Sequence, residues 1–144
     1  METNNILFKE LSKQDIKDIL VLAKKLNPEK TDAALSQYIL DMFEFKNYTC
    51  FGLFQNDLLI GISSGWTTVR FYSGKQLELD NVIIDTEIRS SGLGKTFLSL
   101  IENWAKDKFY QTIELNTYVQ NSRSHKFYFN LGYSILGFHF QKHI

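Results

Sequence analysis

The stretch Arg89-Ser90-Ser91-Gly92-Leu93-Gly94-Lys95-Thr96 gathers glycines, hydroxyls and a lysine where an apolar run gives way to a helical pattern. Those residue types suit phosphate binding, and two chemistries compete for them. A loop that cleaves a nucleoside triphosphate needs Gly-x-x-x-x-Gly-Lys-Ser/Thr, whose first glycine lets the backbone wrap the phosphates. Counted back from Gly94-Lys95-Thr96, that place holds Arg89, and no strand ending in an acidic magnesium ligand accompanies it. Counted forward, the segment is Arg89-x-x-Gly92-x-Gly94 running directly into a helix. Glycines there free backbone N–H groups to turn inward, and the helix start adds unpaired amides and a positive dipole end. That arrangement suits a diphosphate that is held and not hydrolysed.

The elements that must position this loop can be read from periodicity. Residues 5–11 form a first strand. Ser12 is placed to cap a helix on which Ile16, Ile19, Leu20, Ala23 and Leu26 recur at helical spacing, with Pro28 ending it. A second helix is expected from about 31 to 45. Two strands surround an Asn56-Asp57 hairpin turn, and Phe71–Gln76 makes a second turn. "LELDNVIID" is the strand before the loop, its Val82-Ile83-Ile84 run suggesting burial on both faces. A helix carrying Phe97, Leu98, Ile101 and Trp104 follows. "TIELNTYV" is a strand, "SRSHKFYFNLG" a short helix ended by Gly132, and "YSILGFHFQKH" a closing strand. The order is β-α-α-β-β-β-α-β-α-β, an α/β chain with one mixed, twisted sheet of about six strands flanked by about four helices. The lack of a linker or repeat makes residues 1–144 a single expected domain.

A second segment strengthens the first. "NSRSHKFYFNLGY", residues 121–133, is similar to the pattern Asn-x-x-Ala-x-x-Phe-Tyr-x-x-x-Gly-Phe of the GNAT superfamily of N-acetyltransferases. Asn121, Phe127, Tyr128 and Gly132 match, while Ser124 replaces the usual alanine and Tyr133 the phenylalanine. The Arg89–Gly94 stretch resembles that superfamily's acyl-coenzyme-A loop, Arg/Gln-x-x-Gly-x-Gly/Ala. The two motifs in this order and spacing carry the resemblance, strongest over about 75–135, and the element order extends it across the chain.

The resemblance implies the GNAT fold and an acetyl-CoA-dependent N-acetyltransferase. The acetyl group would pass to a primary amine of a small molecule or peptide by direct attack in a ternary complex. The alternative is a catalytically silent coenzyme A-binding module. Backbone amides of Arg89, Ser90, Ser91, Gly92, Leu93, Gly94 and Lys95 would hold the pyrophosphate, with the side chains of Ser90, Ser91, Lys95 and Thr96 secondary. Val82, Ile83 and Ile84 would pair with the pantetheine arm like an added strand, one of their amides polarising the thioester carbonyl. Tyr128 is the implied acid for the departing thiolate, since a phenol's pKa near 10 lies close to a thiol's. Asn121 would hydrogen-bond the pantetheine or simply cap its helix.

For the base, Glu78 lies where some members carry a glutamate, and Asp80 shares its strand face; either could also hold a cationic substrate or face solvent. His125 and His139 are further bases, each with a structural reading beside it. The acceptor region implied by the family offers Tyr38, Trp66, Arg70, Tyr72 and Tyr118, and aromatics with Glu78 and Asp80 would suit a positively charged amine. Many such proteins pair, so a homodimer is an expectation.

Bulk properties bound the rest. The chain has 144 residues, 16 Lys plus Arg balanced by 16 Asp plus Glu, and 44% hydrophobic residues. That balance gives no electrostatic reason to bind nucleic acid or an anionic membrane. One cysteine, Cys50, precludes an internal disulfide and reads as packing. No metal-ligand spacing is found among three histidines and one cysteine. "METNNILFKELSK" lacks the apolar core of a signal peptide and no stretch has membrane-span length, so a cytoplasmic protein is expected.

Overall fold

Ser12 ends the first strand and begins the first helix. In the computed structural model, which describes residues 5–85, 87–88 and 92–144, β1 (Ile6–Leu11) runs into a single 3₁₀ turn, Lys13–Asp15. Gln14 N–H donates to Ser12 Oγ (3.3 Å), and Ser12 N–H donates to Asp15 Oδ2 (2.8 Å). This reciprocal pairing satisfies otherwise orphaned amides and launches α1 (Ile16–Leu26). The helix stops before Asn27-Pro28. Thr31 restarts the chain as α2 (Asp32–Phe43), its Oγ1 accepting from Ala34 N–H at 3.1 Å.

β2 (Tyr48–Gln55) and β3 (Leu58–Arg70) meet at a two-residue turn in which Asn56 and Asp57 both have positive φ, 50° and 67°. That is the turn geometry that twists with its strands. β4 (Gly74–Ile84), α3 (Leu93–Asp107), β5 (Thr112–Leu115) and α4 (Ser122–Asn130) follow. The sheet order is β1-β2-β3-β4-β5, with β1 to β4 antiparallel neighbours. By internal contacts the chain divides into two units, residues 1–114 and 115–144.

Strand alternation sends the first unit's apolar residues to two separate layers. On one face Leu11, Cys50, Leu59 and Ile62 bury against Ile19, Leu22 and Ile39 of α1 and α2. On the other, Phe51 stacks on Phe8 (5.8 Å between rings) and meets Trp104 of α3 edge-on (4.7 Å), while Phe8 meets Phe97 (6.2 Å). Helices with one apolar stripe must bury it, and each side of the sheet supplies a floor.

A bulge interrupts β4. Ile62 pairs with Ile83 and Ser64 with Asp80, so one residue of β3, Ser63, opposes Asn81 and Val82. Asn81 takes a left-handed φ of 53°, a conformation asparagine tolerates better than most. Its N–H donates to Asp80 Oδ1 (2.8 Å) and its side-chain amide to Ser64 Oγ (3.2 Å). The inserted residue returns Ile83 to the α1 face, where it packs on the Ile19–Ile62 cluster.

β4 then leaves the sheet through an anchored turn. Asp85 N–H donates to Ile60 O (2.6 Å), and the N–H groups of Glu87 and Ile88 donate back to Asp85 Oδ1 and O (both 3.0 Å). Lys25 of α1 reaches Asp85 Oδ1 at 2.7 Å, the two side chains 28% and 12% exposed.

Two expectations from sequence are corrected. The closing strand "YSILGFHFQKH" does not form: residues 133–144 carry no strand, and Ile135, Leu136, Phe138 and Phe140 are exposed. The sheet therefore has five strands, not six. Alternating hydrophobicity marks which face of a segment would bury but not the partner whose amides and carbonyls complete a ladder. The strand expected over "TIELNTYV" is confined to Thr112–Leu115 for the same reason.

Two stability predictions follow from this packing. A Cβ built on Gly65 would lie 2.6 Å from Phe51 Cε2 and 3.0 Å from Leu77 Cδ1, both side chains being fully buried. Gly65→Ala should therefore cost about 1–3 kcal/mol in urea unfolding, the usual range for overpacking. The Lys25 hydrogen bond, with the Glu87 amide, holds the Asp85 carboxyl below its ordinary pKa against opposing burial, and the same bond raises Lys25. A depressed carboxyl stabilises the fold above the unfolded pKa of about 4 and loses that contribution as pH falls through its folded value. A raised amine stabilises below about pH 10.4 and loses it as pH rises through its own. Asp85→Asn should lower Tm at pH 7, and the gap from wild type should close at pH 2; an equal gap at both values would reject the ion-pair account.

Candidate functional site

Helix α3 opens on Gly92, whose φ is 93°. A Cβ there would meet nothing within 4 Å, so the demand for glycine is one of backbone torsion, not space. Thr96 N–H already bonds Gly92 O at 2.9 Å. The amides without an intrahelical acceptor are therefore those just ahead of it, through Lys95, and they lie at the positive end of a 15-residue helix. Leu93 is buried and anchors this first turn, while Lys95 and Thr96 are exposed. Such a helix start fits a bound anion. Arg89, Ser90 and Ser91 lie outside the described residues.

On the side away from β3, β4 has β5 as its neighbour. Gln111 N–H donates to Lys75 O (2.8 Å), so β5 starts beside the beginning of β4. Four residues of β5 against eleven of β4 run out before Val82. Val82, Ile83 and Ile84 are each half-buried, in keeping with a strand end covered on both faces. Ile83 is held in the α1 layer, which leaves backbone groups, not side chains, as what this stretch can offer a ligand.

Glu78 and Asp80 occupy one face of β4. Glu78 pairs with Trp66 and Asp80 with Ser64 across β3, and those two partners pair in turn with Tyr48 and Cys50 of β2. Asp80 is exposed and Glu78 half-buried. Beside them a cavity of about 200 Å³ opens between α1, α2 and the sheet. Ile19, Leu35, Ile39, Met42 and Ile62 make its walls apolar, and Tyr48, Ser64 and Asn81 add a polar corner. There Tyr48 Oη lies 2.9 Å from Ser64 Oγ, which also accepts from Asn81. Burial first of all raises the Tyr48 phenol, and burial pushes the Cys50 thiol up to about 11. Both are thus neutral at physiological pH, and Cys50, 2% exposed, packs as expected.

The remaining acceptor candidates divide. Tyr38 lines the cavity. Trp66 is wedged between Phe45 (5.6 Å) and Tyr48 (4.7 Å) at its flank. Arg70 and Tyr72 sit away from it at the exposed hairpin end, where Tyr72 Oη donates to Glu114 Oε2 (2.9 Å).

Within residues 115–144, Asn121 caps α4: its Oδ1 accepts from Ser124 N–H at 3.1 Å, the alternative the sequence left open. Tyr128 is half-buried, with Phe127 and Tyr133 rings 5.2 and 5.6 Å away. Burial raises its phenol above the usual value, which keeps the proton in place at neutral pH as a general acid requires. His125 Nε2 donates to Tyr118 O (2.9 Å), a structural tie, and Tyr118 and the His139 segment are exposed.

Sequence reasoning missed Tyr48, Ser64, Asn81 and the Lys25–Asp85 pair. Only Asn81 left a signal, an asparagine interrupting an apolar strand. Among the described residues no helix is long and apolar enough to cross a membrane, and no group of three or more His, Cys, Asp or Glu could hold a metal.

Comparison with known proteins bears on lineage and fold. Residues 15–133 match the family model "Acetyltransferase (GNAT) family". No curated protein matches the sequence. Among solved structures, the aminoglycoside N-acetyltransferase AAC(6')-Iy in complex with CoA is similar at a TM-score of 0.85 and 16% identity, covering 99% of this chain and 97% of that one. A ribosomal-protein-alanine N-acetyltransferase from Brucella melitensis biovar Abortus 2308 gives 0.82 at 12% identity, covering 97% and 99%. An aminoglycoside acetyltransferase from an uncultured soil metagenomic sample, in complex with sisomicin, gives 0.79 at 13%, covering 96% of each. At those identities the solved structures speak for the fold, and the family model for the lineage: this chain belongs to the GNAT acetyltransferase family.

Proposed function

We propose that the protein transfers an acetyl group from acetyl-CoA to a primary amine by direct attack within a ternary complex. The observation that supports this reading is the α3 start: Gly92, at a left-handed φ of 93°, precedes a 15-residue helix whose first-turn amides have no intrahelical acceptor. Acetyl-CoA supplies the activated acyl group as a thioester. The amides of Gly92, Leu93, Gly94 and Lys95, with those of Arg89, Ser90 and Ser91, hold its pyrophosphate. Backbone groups of Val82, Ile83 and Ile84 pair with the pantetheine arm, and an amide there polarises the carbonyl as negative charge develops on its oxygen. Asn121, its Oδ1 spent on the cap, offers the pantetheine its side-chain amide.

Glu78 and Asp80 serve the amine. An ammonium ion has no lone pair to attack with, so a carboxylate, directly or through a water, takes its proton first. Tyr128 returns a proton to the thiolate, and the positions of Tyr128 and Asn121 in the second motif support these roles.

The deciding experiment measures thiol release from acetyl-CoA over a panel of amines, beside calorimetric binding of acetyl-CoA. Binding without turnover on any amine would favour the silent module. Tyr128→Phe should lower kcat about a hundredfold at neutral pH with the Kd for acetyl-CoA unchanged; near-normal kcat with chemistry rate-limiting rejects the acid role. The double variant Glu78→Gln, Asp80→Asn should lower kcat/KM for the amine at pH 7 by about a hundredfold, within the range general bases supply. Wild-type turnover would reject both carboxylates as bases.

A further inference from the structure

Resting on that reading, we infer that the acceptor is a monoamine with one apolar body, of roughly isobutyl to benzyl size, and not a polycation. The cavity beside Glu78 and Asp80 holds about 200 Å³, and apolar cavities of about 150 Å³ already accept benzene. Most of its walls are apolar side chains of α1, α2 and β3, with Tyr38 and Tyr48 among them. Among its described lining residues there is no carboxylate, and the one charged residue is a cation, Lys30.

The two carboxylates of β4 stand at one edge. Asp80 immediately precedes the lining residue Asn81 and pairs across the ladder with Ser64, which also lines the cavity. Glu78 stands two residues back on the same face. Asp80, exposed at that edge, can receive one ammonium group. A polyamine or aminoglycoside would have to place its further cations against apolar walls and toward Lys30, losing hydration with no counter-charge. An apolar body gains by the same transfer. The hydroxyl corner formed by Tyr48 and Ser64, both neutral, can accept one hydrogen bond from the body without demanding charge. The expectation from sequence that aromatics and acids together would suit a small, positively charged amine is thereby narrowed to one with a single charge: the acids do not line the cavity.

The same chemistry is carried by a free arylalkylamine and by the N-terminal residue of a peptide, so the test includes both. Initial rates of thiol release by the full-length protein are compared for phenethylamine, isoamylamine, a Leu-Gly-Gly peptide, spermidine and kanamycin. Phenethylamine or isoamylamine should exceed spermidine and kanamycin at least tenfold in kcat/KM if a free amine is the acceptor, and Leu-Gly-Gly should do so if a peptide is. Ala23→Phe, which fills the cavity from α1, should raise KM for the preferred monoamine at least tenfold while binding of acetyl-CoA, followed by calorimetry, stays unchanged. Leu26→Phe, at the same cavity, gives a second reading should the first variant fail to fold by circular dichroism. Preference for spermidine or kanamycin, no turnover of any monoamine, or an unchanged KM in both folded variants overturns the inference. Loss of acetyl-CoA binding in the wild-type protein would instead overturn the transferase reading beneath it.

Discussion

A strand alternates its faces with a period of two, and the candidate site depends on a single break in that rule. In β4, Glu78 and Asp80 share the α1 face. Uninterrupted alternation would give that face Val82 and Ile84 and send Ile83 to the α3 side. The left-handed turn at Asn81 inserts one residue, so Ile83 joins the apolar layer under α1. Polar groups and core anchor thus sit on one side of one strand, and the backbone beyond Asn81 stays where β5 does not reach it. The bulge also brings Asn81 to Ser64, which joins the polar corner of the cavity to the point where the strand changes register.

The two layers of the first unit divide the labour. The α3 face is close-packed and aromatic, with Phe51, Phe97 and Ile101 entirely out of solvent, and it fixes the angle at which α3 presents its first turn. The α1–α2 face holds a cavity, at one corner of which Tyr48, Ser64 and Asn81 bond one another's polar atoms. Buried hydroxyls that lack partners would make such a hollow costly. Paired, they are compatible with an opening whose other walls are mostly apolar.

Much of this was legible in the sequence, and the particular residues explain why. Helical spacing in Ile16–Leu26 and Phe97–Ala105 reports burial directly, and Ser12, Thr31 and Asn121 cap because short polar side chains before such runs have few better uses. The Asn56-Asp57 turn follows from the two residues it contains. The glycine at 92 was legible as a glycine position, and its φ of 93° is the torsion that explains it. What stayed hidden depends on contacts between distant positions. Lys25 and Asp85 are sixty residues apart; Tyr48, Ser64 and Asn81 become one cluster only when three strands align. The failed closing strand has the same origin: Ile135 to Phe140 carry a strand's pattern, but pairing is a property of two segments.

Helix α1 belongs to two places at once. Ala23, Leu26 and Asn27 at its end line the cavity, while Lys25, between them, grips Asp85 where the chain leaves β4 for the loop. A helix is stiff over a turn, so the spacing between the cavity residues and Lys25 is fixed by its own backbone. One helix thus contributes both to the wall of the cavity and to the ion pair that ties down the end of β4.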